Sequence, residues 1–285
     1  MAVVLNQHVV DGHLLKWLTA AGLAWLEHNH EHVNRLNVFP VPDGDTGKNM
    51  LQTMRSAYAE IAVMQEGHVG IVGAAIAQGA LLGARGNSGV ILSQLWYGFA
   101  EALRGSEFFD AALFAHAVTN AVEAAYRAVT TPVEGTILTV AREAADSAAR
   151  AVGENGITDL SELLEIMVSA ARSALARTPE MLPVLKKAGV VDSGGQGLLY
   201  ILEGMLRLTQ GQDVMSMNGS IGLVHDHHLS DALEPADERG YGYDVQFLMR
   251  GAGMDVAAVR AAIDAMGWST PVSYTHLTLP TIYSV

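Results

Sequence analysis

The stretch Asn37-Val-Phe-Pro-Val-Pro-Asp-Gly-Asp-Thr-Gly-Lys-Asn-Met50 decides how the rest of the chain is read. Two carboxylates, Asp43 and Asp45, flank one glycine in a loop stiffened by two prolines, and a strongly helical run follows. Carboxylates packed this closely repel each other unless a cation sits between them. Hard divalent ions such as Mg²⁺ take oxygen ligands of this kind and usually arrive with a nucleotide's phosphates. The loop therefore reads as a seat for a metal–phosphate complex at the start of a helix.

Two familiar motifs fail here. An EF-hand loop opening at Asp43 needs glycine at 48 and glutamate at 54, where the chain has Lys48 and Met54. A Walker A loop ending at Gly47-Lys48 needs glycine at 42 and Ser or Thr at 49, where Pro42 and Asn49 stand. The plain alternative is a helix cap supplied by Asp45 or Thr46.

Outward from this loop the chain is helical. Leu14, Trp17, Leu18, Ala21 and Trp25 mark one apolar stripe; Met50, Leu51, Met54, Tyr58 and Ile61 mark another. Leu160, Leu163, Leu164, Met167, Val168 and Ala171 follow the i, i+3, i+4, i+7 pattern of an amphipathic helix. Further helices are expected near 70–84, 88–104, 108–129, 135–151 and 195–209. Residues 1–210 should be an all-α domain of about eight helices with short connections. Residues 211–239 read as a linker. Tyr241, Tyr243, Val245 and Phe247 alternate with polar residues as a strand does, and Val256–Met266 looks helical. Residues 240–270 thus read as the incomplete start of a small α/β domain. The uncharged, threonine-rich tail 271–285 reads as non-native and is excluded from functional argument.

Four connections carry glycine with small polar residues, and each stands just before a helical run: Gly44–Gly47, Gly83–Gly89, Glu134–Thr136 and Asp192–Gly197. Helix N-termini present free N–H groups and partial positive charge, which suits phosphate. Gathered at one end of a bundle, the four would form a nucleotide site. Ser88 would donate a hydroxyl there and Arg85 a positive charge.

Composition narrows the partners. With 17 basic against 30 acidic side chains the net charge is −13, which opposes nonspecific nucleic-acid binding and docking on anionic membranes. No cysteine is present, so disulfide and thiol chemistry drop out. Residues 1–11 lack the basic start and apolar core of a signal peptide. The longest uncharged apolar stretch, Val69–Ala84, is shorter than the ~20 residues a spanning helix needs. A cytoplasmic protein without an integral membrane segment is expected. His28 and His32 share a helix face, but no glutamate stands between them in the zincin arrangement, and a solvated helix end is the better reading.

Taken together and in order, the four segments (Asn37 to Gly47, Gly83 to Gln94, Pro132 to Leu138, Val191 to Leu198) resemble the ATP-binding subunit of bacterial fatty acid kinase. Its N-terminal DhaL-like domain is similar to the nucleotide-binding domain of dihydroxyacetone kinases. The resemblance spans about residues 10–270. It implies an eight-helix antiparallel barrel with ATP at one mouth and two Mg²⁺ ions on the acidic loop. Asp43 and Asp45 fall on the metal-ligand positions. Asn37 falls near a position where the dihydroxyacetone kinases use a third aspartate. Thr46, Gly47, Asn49, Gly86, Asn87, Ser88 and Gly89 would line the phosphates, with Thr136, Asp192 and Gly194 near the nucleotide and Arg85 assisting catalysis. The resemblance further implies a DegV-like fatty-acid-binding partner, which receives the acid back as acyl phosphate, and a homodimer. Two departures stand out. Lys48 replaces a small polar residue, and the stretch Gly242-Tyr-Asp244 lacks the cysteine with which many relatives help hold a metal ion. The family's later regions, including the partner-docking part, are expected to be missing. The alternatives are a dihydroxyacetone-type kinase subunit and an ATP-binding regulatory module without turnover.

Overall fold

The structure, a computed structural model, describes residues 8–214 and 255–265. Eight long helices build the fold: α1 (Gly12–Arg35), α2 (Thr46–Ile61), α3 (Val69–Gly83), α4 (Gly86–Ala102), α5 (Ala111–Ala128), α6 (Ile137–Asn155), α7 (Leu160–Met181) and α9 (Ser193–Thr209). The six-residue α8 (Pro183–Ala188) lies between α7 and α9, and α10 (Val256–Asp264) stands apart in sequence. Among the described residues the only β feature is an isolated bridge between Val10 and Phe109. The domain is all-α, as its periodicity predicts. The proposed strand at 241–247, the tail, and the linker beyond residue 214 lie outside the described residues.

Local signals set the helix ends. Asp11, Asp110 and Asp159 each accept a hydrogen bond from the backbone N–H three residues on, which starts α1, α5 and α7. Asp110 explains why α5 begins at 111 and not at 108. Gly156, in the left-handed region, ends α6. Pro183 opens α8, where its missing N–H costs nothing.

Each long helix packs on its neighbours in chain order, and α9 packs on both α7 and α1, closing a ring. Short connections make successive helices antiparallel, so alternate helices begin at the same end. Leu15, Met50, Met54, Ile61, Ile76, Leu92, Leu163, Leu164 and Ile201 fill the core. Every member of the Leu160–Ala171 stripe is buried. The stripe read on α1 is only partly right. Leu14, Leu18 and Ala21 are buried, but Trp17 is 53% exposed, because α1 turns its Leu14–Leu15–Leu18 side inward. At the base, Val10 and Phe109 exchange backbone hydrogen bonds (2.8 and 2.9 Å), and Gly12 N–H donates to Gly67 O (2.7 Å). Ser161 Oγ meets Thr209 Oγ1 there at 2.9 Å, joining the start of α7 to the end of α9.

Leu163→Ala should cost about 3 kcal/mol through the cavity it leaves, whereas Trp17→Ala should stay within about 0.5 kcal/mol. Urea denaturation of the two variants checks this, and the reverse ranking would mean α1 is turned the wrong way.

Candidate functional site

Opposite the base, α2, α4, α6 and α9 all begin at one mouth. Ser193 Oγ, in the first turn of α9, donates to Thr46 Oγ1 in the first turn of α2 (3.2 Å). Asp192, the N-cap of α9, accepts from Gly195 N (2.7 Å) and also from the backbone of Ile137, the first residue of α6. Gly86 opens α4 with φ +57°, against the first turns of α2; a Cβ there would lie 2.5 Å from Asn49 Nδ2. Gly47 lies so close to His30 O of α1 that no side chain would fit. The four glycine-bearing connections read from the sequence therefore meet. The four helix dipoles therefore turn their positive ends toward the same mouth.

The acidic loop crosses this mouth. Asp43 is exposed and Asp45 half-buried. Partial desolvation raises Asp43 to about 6, and the neighbouring Asp45 charge and a hydrogen bond between the two carboxyls add to the rise. Asp45 occupies the N-cap position of α2, yet its side chain makes no capping bond. Asp11, Asp110, Asp159, Asp192 and Asp255 occupy the same position on their helices, and all five cap. The plain capping role expected as the alternative is therefore unfilled by Asp45. Asn34 and Asn37, from the end of α1, do the work. Lys48 N donates to Asn34 Oδ1 (3.1 Å) and Thr46 N to Asn37 Oδ1 (3.1 Å).

The remaining candidate residues are placed as follows. Thr46 is buried, with its hydroxyl donating to Asn37 Oδ1. Asn49 is half-buried beside Gly86. Asn87, Ser88 and Gly89 form the first turn of α4. Arg85 is exposed and donates to Ala84 O (2.8 Å), its own loop. Thr136 is buried as the N-cap of α6. Gly194 packs on Ile137. Asp192 is fully buried, and desolvation raises it to about 6 against the pull of its two backbone N–H donors. Its backbone N–H donates to Thr178 Oγ1 (3.0 Å), which ties in the end of α7.

Sequence reasoning missed Asn34 and Thr178, and took Ser193 only as part of the Asp192–Gly197 segment, with no role of its own. Their roles arise from contacts between helices, for which a single sequence carries no signal. His28 stacks on Trp25, and His32 Nδ1 meets Tyr200 OH at 2.7 Å. Among the described residues no group of three His, Asp or Glu is arranged to hold a metal. No described helix is long and apolar enough to cross a membrane.

The DAK2 domain family matches residues 40–207. Protein YloV of Bacillus subtilis (strain 168) is 41% identical over 252 residues, covering 86% of this chain and 45% of that protein. An uncharacterized protein of Staphylococcus aureus (strain USA300) is 41% identical over 244 residues, covering 85% and 44%. The chain thus spans less than half the length of these curated relatives. The native form of the dihydroxyacetone kinase of C. freundii has a TM-score of 0.50 at 19% identity, over 73% of this chain and 36% of that one, a likeness of fold.

Asp192 gives a pH signature. A carboxyl raised from 3.8 to about 6 in the folded state binds its proton more tightly there than in the unfolded chain. Its contribution to stability is therefore full below pH 4 and is lost as pH rises through about 6. Asp192→Asn carries no such charge. Its stability relative to wild type should improve by about 2 kcal/mol between pH 4 and pH 7, as read by urea denaturation at each pH; a difference that does not change with pH would refute the burial argument.

Proposed function

The chain belongs to the DAK2 domain family, and on that footing we propose that it is a kinase module holding Mg-ATP at the mouth of the barrel. The phosphoryl acceptor in this reading is a fatty-acid carboxylate presented by a DegV-like lipid-binding partner, and the product is acyl phosphate. One observation carries the proposal: Asp45 is the single N-cap aspartate among the described residues whose carboxyl makes no cap bond, and it faces Asp43. Two carboxyls held together at a cost in repulsion fit a divalent cation and have no structural duty that explains them.

Bound Mg²⁺ would supply charge neutralisation along the triphosphate. Asp43 and Asp45 would hold it. The first turns of α2, α4, α6 and α9 would orient the phosphates through backbone N–H groups. The hydroxyl of Ser88 and the guanidinium of Arg85, both at the start of α4, are the side chains proposed to reach them. Asp192 sits beneath as a buried support. A fatty-acid carboxylate, with a pKa near ~4.3, is already ionised at neutral pH, so the chain need provide no general base.

The fold likeness to a dihydroxyacetone kinase favours one second reading, with a hydroxyl acceptor in place of the carboxylate. Because the chain matches less than half of the length of these relatives, the acceptor and the partner belong to the whole protein.

Asp43→Ala and Asp45→Ala should each weaken Mg-ATP binding by about a hundredfold, the upper range for disturbing a metal site, with the thermal midpoint unchanged or raised. Isothermal titration measures the affinity, and unchanged binding in both variants removes the proposal. Turnover is read by trapping acyl phosphate with hydroxylamine when a fatty acid is offered on its lipid-binding partner. Consumption of dihydroxyacetone without hydroxamate would favour the second reading.

A further inference from the structure

The start of α2 is capped by another helix. The N–H of Lys48 is the one an N-cap side chain at Asp45 would take, as Asp11 takes that of Leu14 and Asp159 that of Glu162. It goes instead to Asn34 Oδ1 of α1. The N–H of Thr46 goes to Asn37 Oδ1, which also accepts the Thr46 hydroxyl, while Asn37 Nδ2 donates to Val41 O (2.7 Å). The orientation of this amide is forced, because a backbone carbonyl can only accept and a backbone N–H can only donate. Both lone pairs of Asn37 Oδ1 are thus filled, and the residue is 7% exposed.

We infer that Asn34 and Asn37 are positioning residues that cap α2 in place of Asp45 and so keep the Asp45 carboxyl turned to Asp43. The inference rests on reading Asp43 and Asp45 as the cation-holding pair. Asn37 then is not a third metal ligand, because ligation would require breaking its bonds to Thr46. Without Asn34, the Lys48 N–H would lack its partner, and Asp45 would swing onto it as the other N-cap aspartates do. A cation would then have to pull Asp45 off its cap before binding.

Isothermal titration of the whole chain with Mg-ATP tests this. Asn34→Ala should weaken binding about fivefold, the equilibrium equivalent of one N-cap bond, with little loss of thermal stability because Asp45 takes over the cap. Asn34→Asp keeps the acceptor and should bind within about twofold of wild type. In an Asp45→Ala background, Asn34→Ala should have no further effect on binding. Wild-type affinity in Asn34→Ala, or an equal loss in both backgrounds, overturns the inference. Should Asn34→Ala not fold, Asn34→Ser, whose shorter side chain cannot reach the Lys48 N–H, takes its place with the same expected loss of about fivefold, and wild-type affinity in that variant overturns the inference. If Asp45→Ala itself binds Mg-ATP normally, the site reading fails, which is a different result from failure of the Asn34 variants alone.

Discussion

The structure depends on the closure of an antiparallel ring by α1 against α9. In such a ring the direction of each helix is fixed by parity. Helices two apart begin at the same end, so α2, α4, α6 and α9 open on one mouth. The insertion of α8 does not disturb this. Six residues of helix advance about 9 Å, too little to cross the barrel, so α9 still starts where α7 ends, tied there by Asp192 N–H and Thr178 Oγ1. Four partial positive charges then face one another. The chain meets that field with small residues, buried N-caps and two exposed or half-buried carboxyls.

Much of this arrangement was legible. The Leu160–Ala171 period is strict, and all of its members are buried. The four glycine-bearing connections were readable as helix starts, because small residues must stand where backbones approach closely: Gly47 against His30 O leaves no alternative. What periodicity alone could not rank was the inward side of α1, where Trp17 fits the spacing of Leu14 and Leu18 yet points outward. A tryptophan on an Ala- and Leu-rich helix looks apolar in any pattern, and only the neighbouring helix decides whether there is room for it. Capping across helices was equally hidden. Asn34 and Asn37 look like ordinary polar residues at the end of α1, and their acceptors serve a helix that starts at Thr46.

Asp45 and Asp192 stand in contrast. Both stand at the N-cap of a helix opening on the mouth, and both look alike in sequence, each followed by a small hydroxyl residue and a glycine. Asp192 spends its carboxyl on Gly195 and on the start of α6. Asp45 spends its carboxyl on neither its own helix nor a neighbouring one.

The causes of the raised carboxyls follow the same division. Burial comes first for Asp43 and for Asp192, but only Asp43 adds the repulsion of a second carboxylate. A cation between Asp43 and Asp45 would cancel that repulsion and return Asp43 toward its ordinary range. Asp192 has no second carboxylate beside it to be relieved in this way; burial alone raises it, and its two backbone N–H donors tie it to α9 and α6. The Asp43–Asp45 pair carries a repulsion that a positive charge between the two carboxyls would relieve.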